Sequence, residues 1–283
     1  MAVRTQPTAR QLRLGAELRK LRESAGLTST AAAQLLGIKQ AQVSNMESGR
    51  LPVSADRVRA MADAYECLDG GLVEALAGMT GERRRGWWEE YRSLLPSGLL
   101  DLAELEHHGT ELRTAHVSGI PGLLQTVDYA RAVFRQVVPE LSPPEIEHRA
   151  SFRIRRQALL FRASPPPYRA VIHEAALHMM FGGRGVASEQ LGHLLDMGRR
   201  PDIRIRVVPF DAGGYPGAGQ PIYYVHGTAP PLDTVQLDQS HGITLLHARA
   251  QLDKYHKVLD RLWALSLEED DSHELIRSLG RRI

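Results

Sequence analysis

The chain holds one cysteine, Cys67, among 283 residues. No intramolecular disulfide can form, which excludes the small disulfide-stapled secreted domains. No apolar stretch approaches the ~20 residues that span a bilayer. Met1 to Leu14 lacks the continuous apolar run of a signal peptide. The expectation is a cytoplasmic protein with no membrane association. An overall excess of one charge is missing too: the formal net charge is +2, so the whole chain is no polycation. There is no internal repeat and no long low-complexity tract.

The usual marks of catalysis are also scarce. There is no CxxC and no GxSxG. Gly213-Gly214-Tyr215-Pro216-Gly217-Ala218-Gly219 is glycine-rich, but it lacks the Gly-Lys-Ser/Thr ending of a P-loop and the third glycine of a dinucleotide fingerprint. A flexible connection between strands accounts for it. His173-Glu174 and His178 are not the zinc-protease pattern, because the histidines stand five apart and not four. His107-His108 reads as surface. No carboxylate pair stands out for acid–base work. The reading is a non-enzyme, with no catalytic residues, no metal and no cofactor.

What is there begins with length. The chain is long enough for two domains. Its 43% hydrophobic and 24% charged residues fit an ordinary globular protein. The charge is uneven, since residues 1–60 carry ten Lys and Arg against four Asp and Glu, a local net of +6. A basic excess of this kind suits a phosphate-binding face.

Residues 12–25 predict a helix with Leu14, Leu18 and Leu21 on one face, stopped by Gly26. Thr28 or Ser29 caps a short second helix that Gly37 ends. A third helix covers about 39–48 and stops at Gly49. After Pro52, Ser54 caps a fourth, striped by Val58, Met61 and Tyr65, and a further helix follows Gly70-Gly71. Glu82 to Leu95 reads as a connecting helix with Trp87, Trp88, Tyr91 and Leu95 packed inward. Beyond residue 110 the pattern mixes. Strands are expected at Glu111–His116, Arg169–His173, Asp202–Val208, Ile222–His226, Thr234–Asp238 and Ile243–Leu246. Helices are expected at 127–136, 143–160, 174–181, 188–199 and 247–265. The acidic tail around Glu268–Asp271 reads as mobile. The fold class is α+β: an all-α domain, then a mixed α/β domain. The spans are a helix-turn-helix domain over 1–80, a helical connector over 81–108, and an α+β partner- or ligand-sensing and dimerisation domain over 109–283.

The second and third helices form a helix-turn-helix unit. At 100° per residue, Val43 and Met46 point within about 60° of each other, toward a core. Gln40, Ala41, Ser44 and Asn45 lie opposite. That face is short, polar and uncharged. Gln and Asn amides pair with adenine, Ser bonds several base edges, and Ala leaves room for a thymine methyl. These four are the base-reading candidates. Thr28, Ser29, Thr30, Lys39, Gln42 and Arg50 are the candidates for the DNA backbone. Glu47 is repelled by phosphate, and its direction, toward the edge of the core face, suits a structural ion pair with an arginine of the first helix, for which Arg22 is chosen.

Gly37, Ile38, Val43, Met46, Glu47 and Gly49, together with Arg22 and Pro52, resemble the Xre, or lambda-repressor-like, helix-turn-helix family over residues 12–66. The resemblance implies base contact by Gln40, Ala41, Ser44 and Asn45. It also implies an Arg22–Glu47 pair. Two positions depart from the pattern: Ser29 replaces the usual Gln opening the second helix, and Lys39 replaces the usual small N-cap of the third. Further on, Ile120-Pro121-Gly122-Leu123-Leu124-Gln125-Thr126 and Tyr129-Ala130-Arg131 resemble the signature of a large group of actinobacterial regulators. Trp87-Trp88, Arg156-Gln157, His173 to Leu177, Gln190-Leu191 and Val208-Pro209-Phe210 match it in order. That group pairs an Xre-type domain with a Scr-family, antitoxin-like domain, and its genes commonly neighbour a small protein thought to bind the product.

The expected function is sequence-specific transcriptional regulation on double-stranded DNA, by a homodimer on an inverted-repeat operator. The C-terminal domain would sense a small partner protein, encoded by a neighbouring gene, or a ligand. Two other readings stand beside it. One is an antitoxin-like protein that sequesters the neighbour's product. The other makes the C-terminal domain a small-molecule receptor or enzyme, with Tyr215–Gln220 as a lid over a polar pocket.

Overall fold

The computed structural model describes residues 7–80, 86–217, 219–239 and 242–283. The chain divides into two compact units, Met1–Glu89 and Glu90–Ile283.

The first unit contains α1 (Ala9–Ser24), α2 (Ser29–Leu35), α3 (Gln40–Glu47), α4 (Ala55–Ala64) and α5 (Gly70–Gly78). Local side-chain chemistry starts four of them. Thr8 and Gln11 form a reciprocal capping box on α1, with bonds of 3.3 and 3.0 Å. Thr28, Ser54 and Asp69 cap α2, α4 and α5 through their side-chain oxygens. Leu18, Val43, Val58, Met61 and Leu76 are completely buried between the helices. Each such side chain contributes about 1.5–3 kcal/mol by leaving water.

The second unit opens with α6 (Ser97–His108) and is built on six strands: β1 (Glu111–His116), β2 (Tyr168–His173), β3 (Ile203–Val208), β4 (Ile222–His226), β5 (Thr234–Gln239) and β6 (Gly242–Leu246). Their order is β3-β2-β1-β4-β5-β6. The first three are parallel, because helical crossovers join them: α7 (Val127–Phe134) and α8 (Pro143–Gln157), then α9 (Glu174–Leu177) and α10 (Arg184–Met197). The last three run antiparallel, joined by short connections. The sheet is therefore mixed, within an α+β chain. One face packs Ala115, Val171, Ile222 and Val235 against α11 (Arg249–Leu265). The other packs Leu112, Ala170, Ile172 and Ile205 against α10 and α12 (Glu269–Gly280). Alternation in β3 sends Ile203, Ile205 and Val207 into that second core, while Arg206 stands over the Trp263 ring at 4.4 Å.

Two expectations fail here. The Glu82–Leu95 connector is not one helix. Residues 81–85 lie outside the described residues, Trp87–Tyr91 is a 3-10 turn, and α6 starts afresh at Ser97. Pro96 explains the break, since the residue before proline is steered away from helical backbone. The aromatic group does pack inward. Trp88 is buried, and Tyr91 meets Phe152 edge to face at 5.0 Å.

The acidic tail is also no mobile end. Glu269, Asp270 and Asp271 form the first turn of α12, where the helix dipole favours negative charge. Ser272, Ile276 and Leu279 then make a buried stripe at spacings of four and three. The Ser272 hydroxyl accepts the Val207 amide at 3.0 Å, and the Leu267 amide donates to the Val207 carbonyl at 2.9 Å. The tail thus satisfies the outer edge of β3. Ile276→Ala should destabilise the full chain by about 2–5 kcal/mol, read by denaturant unfolding. Asp271→Ala on the exposed side should cost far less. Equal small effects from both would mean that α12 is not part of the core.

Candidate nucleic-acid interface

The joint between α2 and α3 rests on Gly37, whose φ of +63° belongs to the left-handed region. The space around it is open, so the backbone angle and not crowding demands glycine there. Its amide donates to the Gln34 carbonyl and the Ile38 amide to the Ala33 carbonyl, at 3.2 and 3.0 Å. These bonds close the carbonyls left over at the end of α2.

Three constraints then fix how α3 is rotated. Val43 and Met46 are buried at 0% and 4% exposure. Gly15 of α1 touches the end of α3: a methyl there would stand 2.4 Å from the Glu47 carbonyl oxygen. Finally, Arg22 clasps the Glu47 carboxylate through Nε and Nη2 at 2.7 and 2.9 Å, while Nη1 donates to the Leu27 carbonyl at 2.7 Å. Both side chains of the pair are under a tenth exposed. Hydrogen bonding to Glu47 raises the Arg22 pKa. Burial, helped by the Glu47 charge, pushes the neighbouring Tyr65 hydroxyl up to about 12. Glu47 is occupied inside the unit and faces no ligand.

With those residues turned in, Gln40, Ala41, Gln42, Ser44 and Asn45 are left exposed. Gln40 Nε2 donates to the Ser29 and Ser44 hydroxyl oxygens at 3.0 and 2.9 Å. A chain of bonds therefore ties the start of α2 to the face of α3. It leaves Gln40 Oε1 as an outward acceptor and the two hydroxyl protons as outward donors. Ser29, the departure from the family pattern, is what completes this chain. Gln42 Oε1 accepts the Lys39 amide at 3.0 Å. It thereby serves the helix start that the lysine side chain cannot cap, and keeps its own NH2 to donate. Thr28 is bound as the α2 cap, its hydroxyl oxygen accepting the Ala31 amide at 3.1 Å, and Thr30 is exposed.

The basic side chains of the unit divide into paired and unpaired. Arg19, Lys20, Arg22 and Arg59 bond Glu23, Glu17, Glu47 and Glu74. Among the described residues, Lys39, Arg50 and Arg57 have no carboxylate partner. Lys39 and Arg50 are exposed and flank the two ends of α3, where a phosphate backbone on either side of a groove would meet them.

The motifs of the second unit go mainly into structure. The loop carrying Ile120 to Thr126 is pinned by three glutamines. Gln125 Nε2 donates to the Ile120 carbonyl at 2.7 Å, Gln157 Nε2 to the Gln125 carbonyl at 2.6 Å, and Gln190 Nε2 to the Leu124 carbonyl at 2.7 Å. Thr126 caps α7, as a turn at Pro121-Gly122 ahead of it predicts. His173 Nδ1 accepts the Ala175 amide at 3.1 Å and caps α9. Ala218, within the Tyr215–Gln220 stretch, lies outside the described residues. A pocket of about 320 Å³ in this unit takes Pro221 into its wall but none of the described residues 215–220. The Tyr215 ring packs on His173 instead, edge to face at 5.5 Å.

A helix-turn-helix with a polar outward face and unpaired cations at its ends defines a DNA-binding regulator. Residues 13–76 match a helix-turn-helix domain family. Residues 99–278, more than half of the chain, match the family described as a domain of unknown function (DUF5753), and the chain belongs to that family. No curated protein and no solved structure matches the chain. Among the described residues, no helix is long and apolar enough to cross a membrane.

Removing half of the buried pair should unlock α3. Arg22→Ala is expected to cost about 3 kcal/mol, the usual penalty for stranding a buried charge. Amide exchange in residues 40–49 should accelerate more than in α4. Exchange rising evenly over the whole unit would mean that the pair carries stability alone and does not orient α3.

Proposed function

We propose that the protein is a sequence-specific transcriptional regulator of the Xre, lambda-repressor-like type, of actinobacterial character, acting on double-stranded DNA. The observation that carries the reading is the outward face of α3. Gln40, Ala41, Ser44 and Asn45 are exposed together, short enough for base edges to approach closely and uncharged. A solvated surface helix favours Glu and Lys instead. Gln40, Ser44 and Asn45 make base contacts, and Ala41 meets a thymine methyl. Thr28, Ser29, Thr30, Lys39, Gln42 and Arg50 hold the phosphates. One such helix reads only a short half-site. The working form is a homodimer on an inverted repeat, with recognition helices about 34 Å apart. The second unit provides dimerisation and responds to a small neighbour-encoded protein or a ligand, in the manner of the Scr-family domains.

The test is binding to the DNA upstream of the protein's own gene, compared with random duplex. Gln40→Ala with Asn45→Ala should lower the ratio of specific to non-specific affinity by about tenfold or more per half-site. Binding to random duplex should stay nearly unchanged. Lys39→Ala and Arg50→Ala should weaken both kinds of binding alike and reduce the slope of log K against log salt by about one each. An unchanged specificity ratio in the double variant would refute the base-reading assignment.

A further inference from the structure

The second unit carries a half-open pocket of about 320 Å³, at the small end of the roughly 300–1,000 Å³ usual for ligand sites. Its floor is the β1, β4 and β5 face, its roof is α6 and α8, and its side is the loop that the three glutamines pin. Most of the wall is apolar, with Leu99, Leu102, Leu123, Val133 and Phe181 among its members.

Two arginines of α8 line it, and they are treated unequally. Arg156 is bound twice by Glu106, at 2.8 and 2.5 Å, and the Tyr223 hydroxyl takes up Glu106 as well at 2.9 Å. That carboxylate is fully used. Arg153 gets only an amide: its Nη1 donates to Gln125 Oε1 at 2.6 Å, and its guanidinium lies 4.2 Å over the Phe134 ring. Among the described residues no carboxylate bonds it. Its Nε is shut off from solvent with no acceptor. Burial, reinforced by the Arg156 charge and only partly opposed by the Asp238 and Glu106 charges, pulls the Arg153 pKa down to about 9, which still leaves a cation at neutral pH. A half-buried cation whose Nε is shut off from water and orphaned is costly unless something supplies an acceptor and the opposite charge.

A second orphan stands in the same wall. Gln236 Oε1 is buried with no donor, while its Nε2 is spent on Asp238 Oδ1 at 2.7 Å. The missing partners are thus one anionic acceptor and one hydrogen-bond donor. The charge of that anion is limited. His116, also in the wall, is held neutral by burial, with its pKa lowered to about 4. Asp238 adds a negative charge to the lining. A group with two negative charges would meet one free cation and one carboxylate, so a single negative charge fits best.

We propose that this cavity binds a small organic monocarboxylate, with its carboxylate on Arg153, its apolar body among the leucines, and a hydroxyl or amino donor on Gln236. The loop that forms the cavity's side carries Ile120, Pro121, Gly122, Leu123 and Gln125, so the most recognisable sequence of the second unit is also the rim of this site. The inference deepens the sensing role proposed above; the binding itself does not rest on it, and only its effect on DNA does.

The experiment uses the full chain and calorimetry or thermal shift with defined probes: phenylacetate, 4-hydroxyphenylacetate, their two amides, and inorganic phosphate. The acids should bind in the millimolar range or better and raise the Tm, the hydroxylated acid more than the plain one. The amides should bind about tenfold more weakly, and phosphate should not bind. Arg153→Gln should weaken the acids about tenfold, to the level of the amides, since a charge-assisted bond is lost. Arg153→Lys should retain a preference for acids. Leu99→Trp fills the cavity without touching a charge and should block all binding, which keeps the test decisive if Arg153→Gln fails to fold. Failure of both acids to bind would overturn the proposal, as would equal binding of acids and amides, or phosphate binding as tightly as the acids. If the acids bind as described and affinity for operator DNA does not change, the site stands and the sensing role falls.

Discussion

The bidentate contact between Arg22 and Glu47 is the constraint on which the orientation of α3, and with it the proposed DNA-reading face, depends. An exposed ion pair contributes little, because water competes for both partners. This pair is buried and forked, and the third donor of the guanidinium holds the Leu27 carbonyl in the turn after α1. Breaking one side leaves a charge where water cannot reach it. The pair therefore works less as a source of net stability than as a lock on rotation. An eight-residue helix with two buried side chains would otherwise roll on its neighbours. Gly15 completes the lock by letting the α1 backbone touch the end of α3. Only with both in place does the polar face point outward in one orientation.

The second unit solves a similar problem with amides. Gln125, Gln157 and Gln190 fasten the Ile120–Thr126 loop to α8 and α10 through carbonyl oxygens. Neutral side chains satisfy a buried loop without the desolvation penalty of ions. Against that background Arg153 is conspicuous, as a charge placed beside the same loop with no carboxylate bonded to it among the described residues. A structure that spends three glutamines on neutral satisfaction, and a whole carboxylate on Arg156, leaves Arg153 with an amide alone beside the pocket.

Much of this was legible in the sequence, and the omissions have physical causes. Helical periodicity turns Val43 and Met46 inward and Glu47 toward the core edge and the arginines of the first helix, because 100° per residue holds well over two turns; the choice of Arg22 among them also draws on the family resemblance. Strand positions in the second unit follow from alternation, as in Ile203, Ile205 and Val207. Glu269 to Asp271 misled because an acidic run looks like a solvated tail, while the same residues are good openers of a helix whose apolar stripe is sparse. The connector misled because aromatics at helical spacing outweighed Pro96. The Ser29–Gln40–Ser44 chain was out of reach, since it joins two helices whose crossing the sequence does not specify. The cavity was hidden for the same reason: Arg153 is one of several arginines on α8, and only packing shows which of them Glu106 neutralises.

The central claim is that bases are read by the face of α3 that the Arg22–Glu47 lock turns outward. The most direct measurement is selection of bound duplexes from a random pool by the full chain and by its Gln40→Arg variant. An arginine at that place favours guanine O6 and N7. The account predicts that the variant selects a site changed toward guanine at one position in each half-site and otherwise identical. Recovery of the same preferred sequence by both proteins would contradict it.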